Sequence, residues 1–112
     1  MKIKIEKTAG SAIIIHLEGR FDPQYSEKVE ERIVKLIHNG SNQIFVDCEN
    51  VQYIGSTGIK ILLLMNEKLK KLNGWLKIIS LPETGRKILD TMGLLDRFDI
   101  YKDRTEALKG LI

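Results

Sequence analysis

From residue 2 the chain alternates charged and β-branched positions, setting Ile3 and Ile5 against Lys2, Lys4, Glu6 and Lys7 with the period of a half-buried strand. Ala9-Gly10-Ser11 supplies a turn, and Ala12-Ile13-Ile14-Ile15-His16-Leu17 returns as a second strand, so the two predict a β-hairpin. Pro23 fits the first turn of a helix running to about His38, with Val29, Ile33, Val34, Leu36 and Ile37 inward; Asn39-Gly40 stops it. Gln43-Ile44-Phe45-Val46-Asp47-Cys48 is a short buried strand. Ile59 to Leu72 carries eight apolar residues without Gly or Pro, a helix with a broad apolar face that Asn73-Gly74 closes. Trp75 to Ile79 is the next strand, and Pro82 breaks it. A third helix from about Glu83 to Met92, a short strand near Phe98-Asp99-Ile100-Tyr101 and a fourth helix from about Arg104 complete the pattern.

Strands alternating with helices predict an α/β fold: a mixed, mostly parallel sheet with right-handed crossovers, started by an N-terminal hairpin and covered by about four helices, in one domain over residues 1–112. In such a sheet the loops after the carboxyl ends of parallel strands gather along one edge, the usual binding edge. The loops at 19–23, 49–57 and 81–84 would all open there, so Asp22, Ser56 and Thr57 would share a surface. The start of the Ile59 helix is apolar on more sides than one sheet contact requires. Either the third helix covers the surplus or a partner does.

Composition narrows the class without naming a function. The 112 residues are 43% hydrophobic and 29% charged, which suits one soluble domain with its own core. The net charge of +3 owes much to Lys68, Lys70 and Lys71 near a helix end, where the dipole favours cations, so nucleic-acid binding is not indicated. A solvated face is the expected role of those lysines, with contact to anionic lipid or phosphate as the other. The longest wholly apolar run is residues 61–65, far short of the roughly 20 needed to span a bilayer. Residues 1–7 alternate charged and β-branched positions rather than forming a secretory apolar segment, and a cytoplasmic location is the expectation. Cys48 has no partner for an internal disulfide and reads as a buried structural thiol.

Catalytic chemistry finds little footing. His16 lies in an apolar strand and His38 at a helix end, in neither nucleophile nor metal-ligand spacing, so a core role and a capping role are expected. No metal, cofactor or catalytic residue is implied. Gly55-Ser56-Thr57-Gly58 lacks the Gly-Lys-Ser/Thr ending of a phosphate-binding loop, which leaves nucleotide binding a minor alternative. What those four residues do offer is a pair of hydroxyls where a strand gives way to a helix. Ser56 or Thr57 is the natural N-cap, and a phosphate on Ser56 would sit at the positive end of the helix dipole, where an anion is tolerated.

Three segments carry a resemblance: Leu17-Glu18-Gly19-Arg20-Phe21-Asp22, then Phe45-Val46-Asp47 through Val51 to Tyr53-Ile54-Gly55-Ser56-Thr57-Gly58-Ile59, and Met92-Gly93-Leu94-Leu95-Asp96-Arg97-Phe98-Asp99-Ile100-Tyr101 with Glu106-Ala107-Leu108 behind. In order and spacing they resemble the STAS domain family of bacterial anti-sigma factor antagonists. The resemblance implies binding to an anti-sigma factor that is itself a serine kinase, phosphorylation of the first loop hydroxyl to break that complex, and reversal by a metal-dependent serine phosphatase. By position the phosphoacceptor is Ser56, with Thr57 the second choice; Asp22, Gly55, Ser56, Thr57 and Gly58 are the expected partner-binding set. The family also includes members not switched by phosphate, such as stressosome scaffolds and subunits of lipid-transport complexes. One position departs from the pattern: where the family usually carries Asp before the serine, this chain has Gly55.

Overall fold

The computed structural model describes residues 2–109; the first residue and last three of the expected 1–112 unit lie outside the described residues. Strands β1 (Lys2–Lys7), β2 (Ile13–Phe21), β3 (Gln43–Ile54), β4 (Trp75–Ile79) and β5 (Ile100–Tyr101) form one sheet in chain order. β1 pairs antiparallel with β2, and the other three pairs are parallel. Helices α1 (Pro23–His38), α2 (Ser56–Lys71), α3 (Glu83–Thr91) and α4 (Arg104–Lys109) complete the expected α/β architecture, and a short 3-10 turn at Leu95–Arg97 adds an element the apolar pattern did not announce.

The pleat of the strands divides the core in two. Ile15, Leu17, Ile44, Val46 and Ile78 face α1, α2 and α3, which bury Val29, Ile33, Ile59, Leu62, Leu69 and Leu89 against them. Their neighbours Ile14, Phe45 and Ile79 point to the opposite face, where Ala107 of α4 closes a smaller cluster with Trp75 and Tyr101 at its margin. One buried polar group ties the larger layer together. Asn66 of α2 is 3% exposed, donates to the Arg97 carbonyl and accepts from the Leu76 amide.

Two strands run further than their apolar runs suggested. β2 continues through Glu18-Gly19-Arg20 to Phe21, and β3 continues through Glu49-Asn50 to Ile54. The polar residues interrupt the alternation, but the ladder persists through register shifts at 16–18 and 19–20, the second beside Gly19 at φ 111°. These shifts bring Phe21 opposite Ile54 and turn both into the core, at 1% and 0% exposure. The two loops that follow therefore start side by side, about 4.8 Å apart as on any neighbouring strands.

Candidate functional site

β3 ends at Ile54, and α2 begins at Ser56, three residues before its apolar run. The N-cap is Gly55 (φ −101°, ψ −173°), with no side-chain capping bond. The expected capping role of Ser56 or Thr57 is thus corrected. Both hydroxyls lie inside the first turn, Ser56 one position and Thr57 two positions past the cap, and both side chains are exposed. The helix starts early because Gly58 must sit deep: a Cβ there would lie 2.6 Å from Phe21 Cδ1 and 2.8 Å from Ile54 Cγ1. Gly58, expected in the partner-binding set, is buried, and the structure gives it a packing place between α2 and the sheet edge.

Asp22 follows Phe21 as Gly55 follows Ile54, so the two loops adjoin as the topology requires. Its carboxylate has local work: Asp22 is the N-cap of α1, and its Oδ1 accepts from the Tyr25 amide at 2.8 Å. The third loop joins them, because Gly85 at the start of α3 packs against Ile54 and Leu81. Between α2 and α3 lies an open groove of about 290 Å³ lined by Ser56, Lys87, Ile88, Thr91 and Met92, and Met92 is 51% exposed. The apolar face of α2 is only partly covered within the domain. Gly58, Ile59, Leu62 and Met65 are buried under neighbouring elements, whereas Leu64 stays 48% exposed.

Gly55 has its own environment. A Cβ at this position would lie 2.9 Å from Tyr53 Oη and 3.3 Å from the ring, so the Tyr53 side chain occupies the space an aspartate would need. The guanidinium of Arg20, the register partner of Tyr53, stacks 4.6 Å from the ring centre. The first turn of α2, which carries Ser56, holds no acidic residue.

A second polar cluster was missed in the sequence. His16 is not a core histidine: its side chain is 28% exposed, with Nε2 2.7 Å from Glu6 Oε1 and Nδ1 2.9 Å from Asp47 Oδ2. Arg104 donates from both terminal nitrogens to the two oxygens of Glu6. Bonds from Arg104 first, and from His16 second, hold the Glu6 carboxyl down at about 2. The partners lie 10, 31 and 98 residues apart along the chain, beyond any local motif. Cys48 is 1% exposed, and burial pushes its thiol up to about 12, which suits a structural rather than a reactive role. Among the described residues no three His, Cys, Asp or Glu side chains form a group able to hold a metal.

The family model of the STAS domain matches residues 2–107. The chain belongs to the STAS domain family. This STAS chain is similar to the anti-sigma-B factor antagonist of Bacillus subtilis, 28% identical over 101 residues that cover 89% of this chain and 92% of that protein. Its fold matches the unphosphorylated anti-sigma factor antagonist SpoIIAA with a TM-score of 0.83 at 21% identity, covering 98% of this chain and 96% of that one. The phosphorylated form of the Bacillus cell fate determinant SpoIIAA matches at 0.80 and 20%, covering 99% and 100%. Both phosphorylation states of that relative thus share the fold described here. Among the described residues no helix is long and apolar enough to cross a membrane.

Proposed function

We propose that this STAS protein is a cytoplasmic anti-sigma factor antagonist whose partner is an anti-sigma factor serine kinase, and that phosphorylation of Ser56 ends the complex. The observation that carries this reading is the state of Ser56, an exposed hydroxyl with no hydrogen bond among the described residues, beside an open groove on the edge where three loops meet. In the transfer, Ser56 Oγ attacks the γ-phosphorus of kinase-bound ATP, its proton passes to a base of the kinase, and the bond to the bridging oxygen breaks to release ADP. A metal-dependent serine phosphatase reverses the step by hydrolysis, returning the serine and inorganic phosphate. The new group brings about −1.5 to −2 charges and three acceptor oxygens into the docking surface. A penalty of about 2.7 kcal/mol for desolvating or repelling it already weakens binding about a hundredfold. The domain itself tolerates the phosphate, since an anion at a helix start with no acidic neighbour is favoured by the dipole.

The specific observation behind a second reading is Gly55. Without the aspartate of the family pattern, the same edge would serve as a constitutive interaction surface, as in stressosome scaffolds or lipid-transport subunits. Titration calorimetry with the cognate kinase separates the two. Ser56→Asp should lose binding by about a hundredfold or more while Ser56→Ala retains it; equal affinity of the two variants overturns the switch. Phosphopeptide mapping of the tryptic fragment ending at Lys60 checks the acceptor, and phosphate on Thr57 with none on Ser56 would move it.

A further inference from the structure

We propose that Lys87 is the intramolecular counter-charge of a phosphate on Ser56, and that their pairing shuts the groove between α2 and α3. The inference rests on the reading of Ser56 as phosphoacceptor and adds to it a device within the domain itself. Ser56 and Lys87 line the same groove from opposite helices, with Ile88, Thr91 and Met92 forming its remaining wall. Lys87 is exposed and takes part in no ion pair among the described residues. The acidic groups nearest to it in sequence on its own helix, Glu83 and Asp90, are exposed and likewise unpaired with it. Two other cations lie close to this edge: Arg20 is stacked on Tyr53, the side chain that covers Gly55, and Lys60 is exposed one turn further along α2, on the helix of Ser56 itself rather than across the groove.

A phosphate on Ser56 therefore has the Lys87 ammonium across the groove, with no carboxylate in the first turn of α2 and the Asp22 carboxylate of the adjoining loop engaged by the Tyr25 amide. Lysine on its four-carbon stem is suited to reach such a group and to give short, charge-assisted bonds. The bridge would span the mouth of the groove over Ile88 and Met92. Phosphorylation would then remove the apolar seat from the docking surface as well as adding charge to it. The absence of a carboxylate at position 55 acquires a use here, because an aspartate beside Ser56 would oppose the phosphate that Lys87 must capture.

The test needs no kinase. Phosphoserine is incorporated at position 56 during translation, and the second ionisation of the phosphate is followed by ³¹P NMR in the wild-type, Lys87→Gln and Lys87→Arg backgrounds. An exposed phosphoserine titrates near pH ~6. The wild-type and arginine proteins should titrate about half a unit below Lys87→Gln, the size a surface ion pair produces; the contribution of the helix dipole is common to all three. In parallel, a soluble nitroxide should broaden the Met92 methyl resonance less after phosphorylation in the wild type and equally before and after in Lys87→Gln. Identical titration in the three proteins, or a Met92 methyl as accessible with the phosphate as without it, overturns the latch. The switch fails separately: a kinase that binds phosphorylated and unphosphorylated protein alike removes the proposed function while leaving the pairing intact.

Discussion

At the start of α2 the hydroxyls of Ser56 and Thr57 are exposed and cap nothing among the described residues, whereas on the other face of the sheet four polar side chains from β1, β2, β3 and α4 answer one another bond for bond. Asp47, 6% exposed, accepts from the Glu49 amide as well as meeting His16; His16 meets Glu6; Glu6 receives both arms of Arg104. The second region uses its polarity to fasten α4 onto the small cluster around Phe45 and Ala107. The first leaves its polarity open to an outside group. A histidine flanked by two carboxylates looks more like chemistry than a pair of surface hydroxyls does, yet its ring nitrogens are already occupied, and occupancy separates a structural polar group from one kept for exchange.

Removing Asp47 should give the largest effect. Asp47→Ala leaves the Glu49 amide and one nitrogen of His16 without their acceptor in a nearly buried position, and should cost about 2–3 kcal/mol in urea unfolding. Phosphorylation of Ser56 in the folded variant should proceed at the wild-type rate. A loss under about 1 kcal/mol, or a changed phosphorylation rate, would show that the two regions are not separate in function.

How far each region could be read from the sequence follows the same division. The strand-to-helix junction that holds the candidate site was legible because Gly55, Ser56, Thr57 and Gly58 are consecutive and flanked by a strand pattern and a helix pattern, so local chemistry announces it. Its details were not, because the start of α2 is set by Phe21 meeting Gly58, a contact between residues 37 positions apart, and this turned the expected cap into a first-turn residue. Asp22 was legible as a member of the edge, but its bond to the Tyr25 amide needs α1 in place before it can be seen. The second region was hidden altogether. His16 sits in a run of isoleucines, and nothing near it in the chain shows that β1 will set Glu6 against one nitrogen while β3 sets Asp47 against the other. The parallel sheet itself was recoverable, since each strand and helix declares its own period before any long-range contact forms.

A smaller effect, with a pH dependence, is expected at the outer end of the cluster. Arg104→Gln removes the first of the two causes that hold the Glu6 carboxyl at about 2 rather than its ordinary 4.5. Because the folded value is the lower one, the stabilisation is present above about pH 4.5 and is lost as pH falls through about 2. The side chains of Glu6 and Arg104 are 36% and 45% exposed, so screening keeps the cost of the substitution near neutral pH to about 0.5–1 kcal/mol. The difference in unfolding free energy between wild type and Arg104→Gln should narrow steadily from pH 5 to pH 2, and should also narrow in high salt. A gap that widens on acidification would mean that Arg104 holds α4 through something other than Glu6.

The smallest effect should come from Ser56, the proposed phosphoacceptor. Because Gly55 is the N-cap and the Ser56 hydroxyl serves no amide, Ser56→Ala should change unfolding free energy by no more than about 0.5 kcal/mol. Alanine's higher helix propensity in the first turn works in its favour. Asp22→Ala provides the contrast on the same edge: it removes a side chain that does cap a helix and should cost about 1 kcal/mol. If Ser56→Ala is as costly as Asp22→Ala, the hydroxyl is structural after all, and its exposure loses its meaning as a sign of function. If it is neutral, the domain gains nothing in stability from a serine at this position. The hydroxyl is then free to carry a phosphate, and the surface next to it can be rewritten without changing the fold beneath.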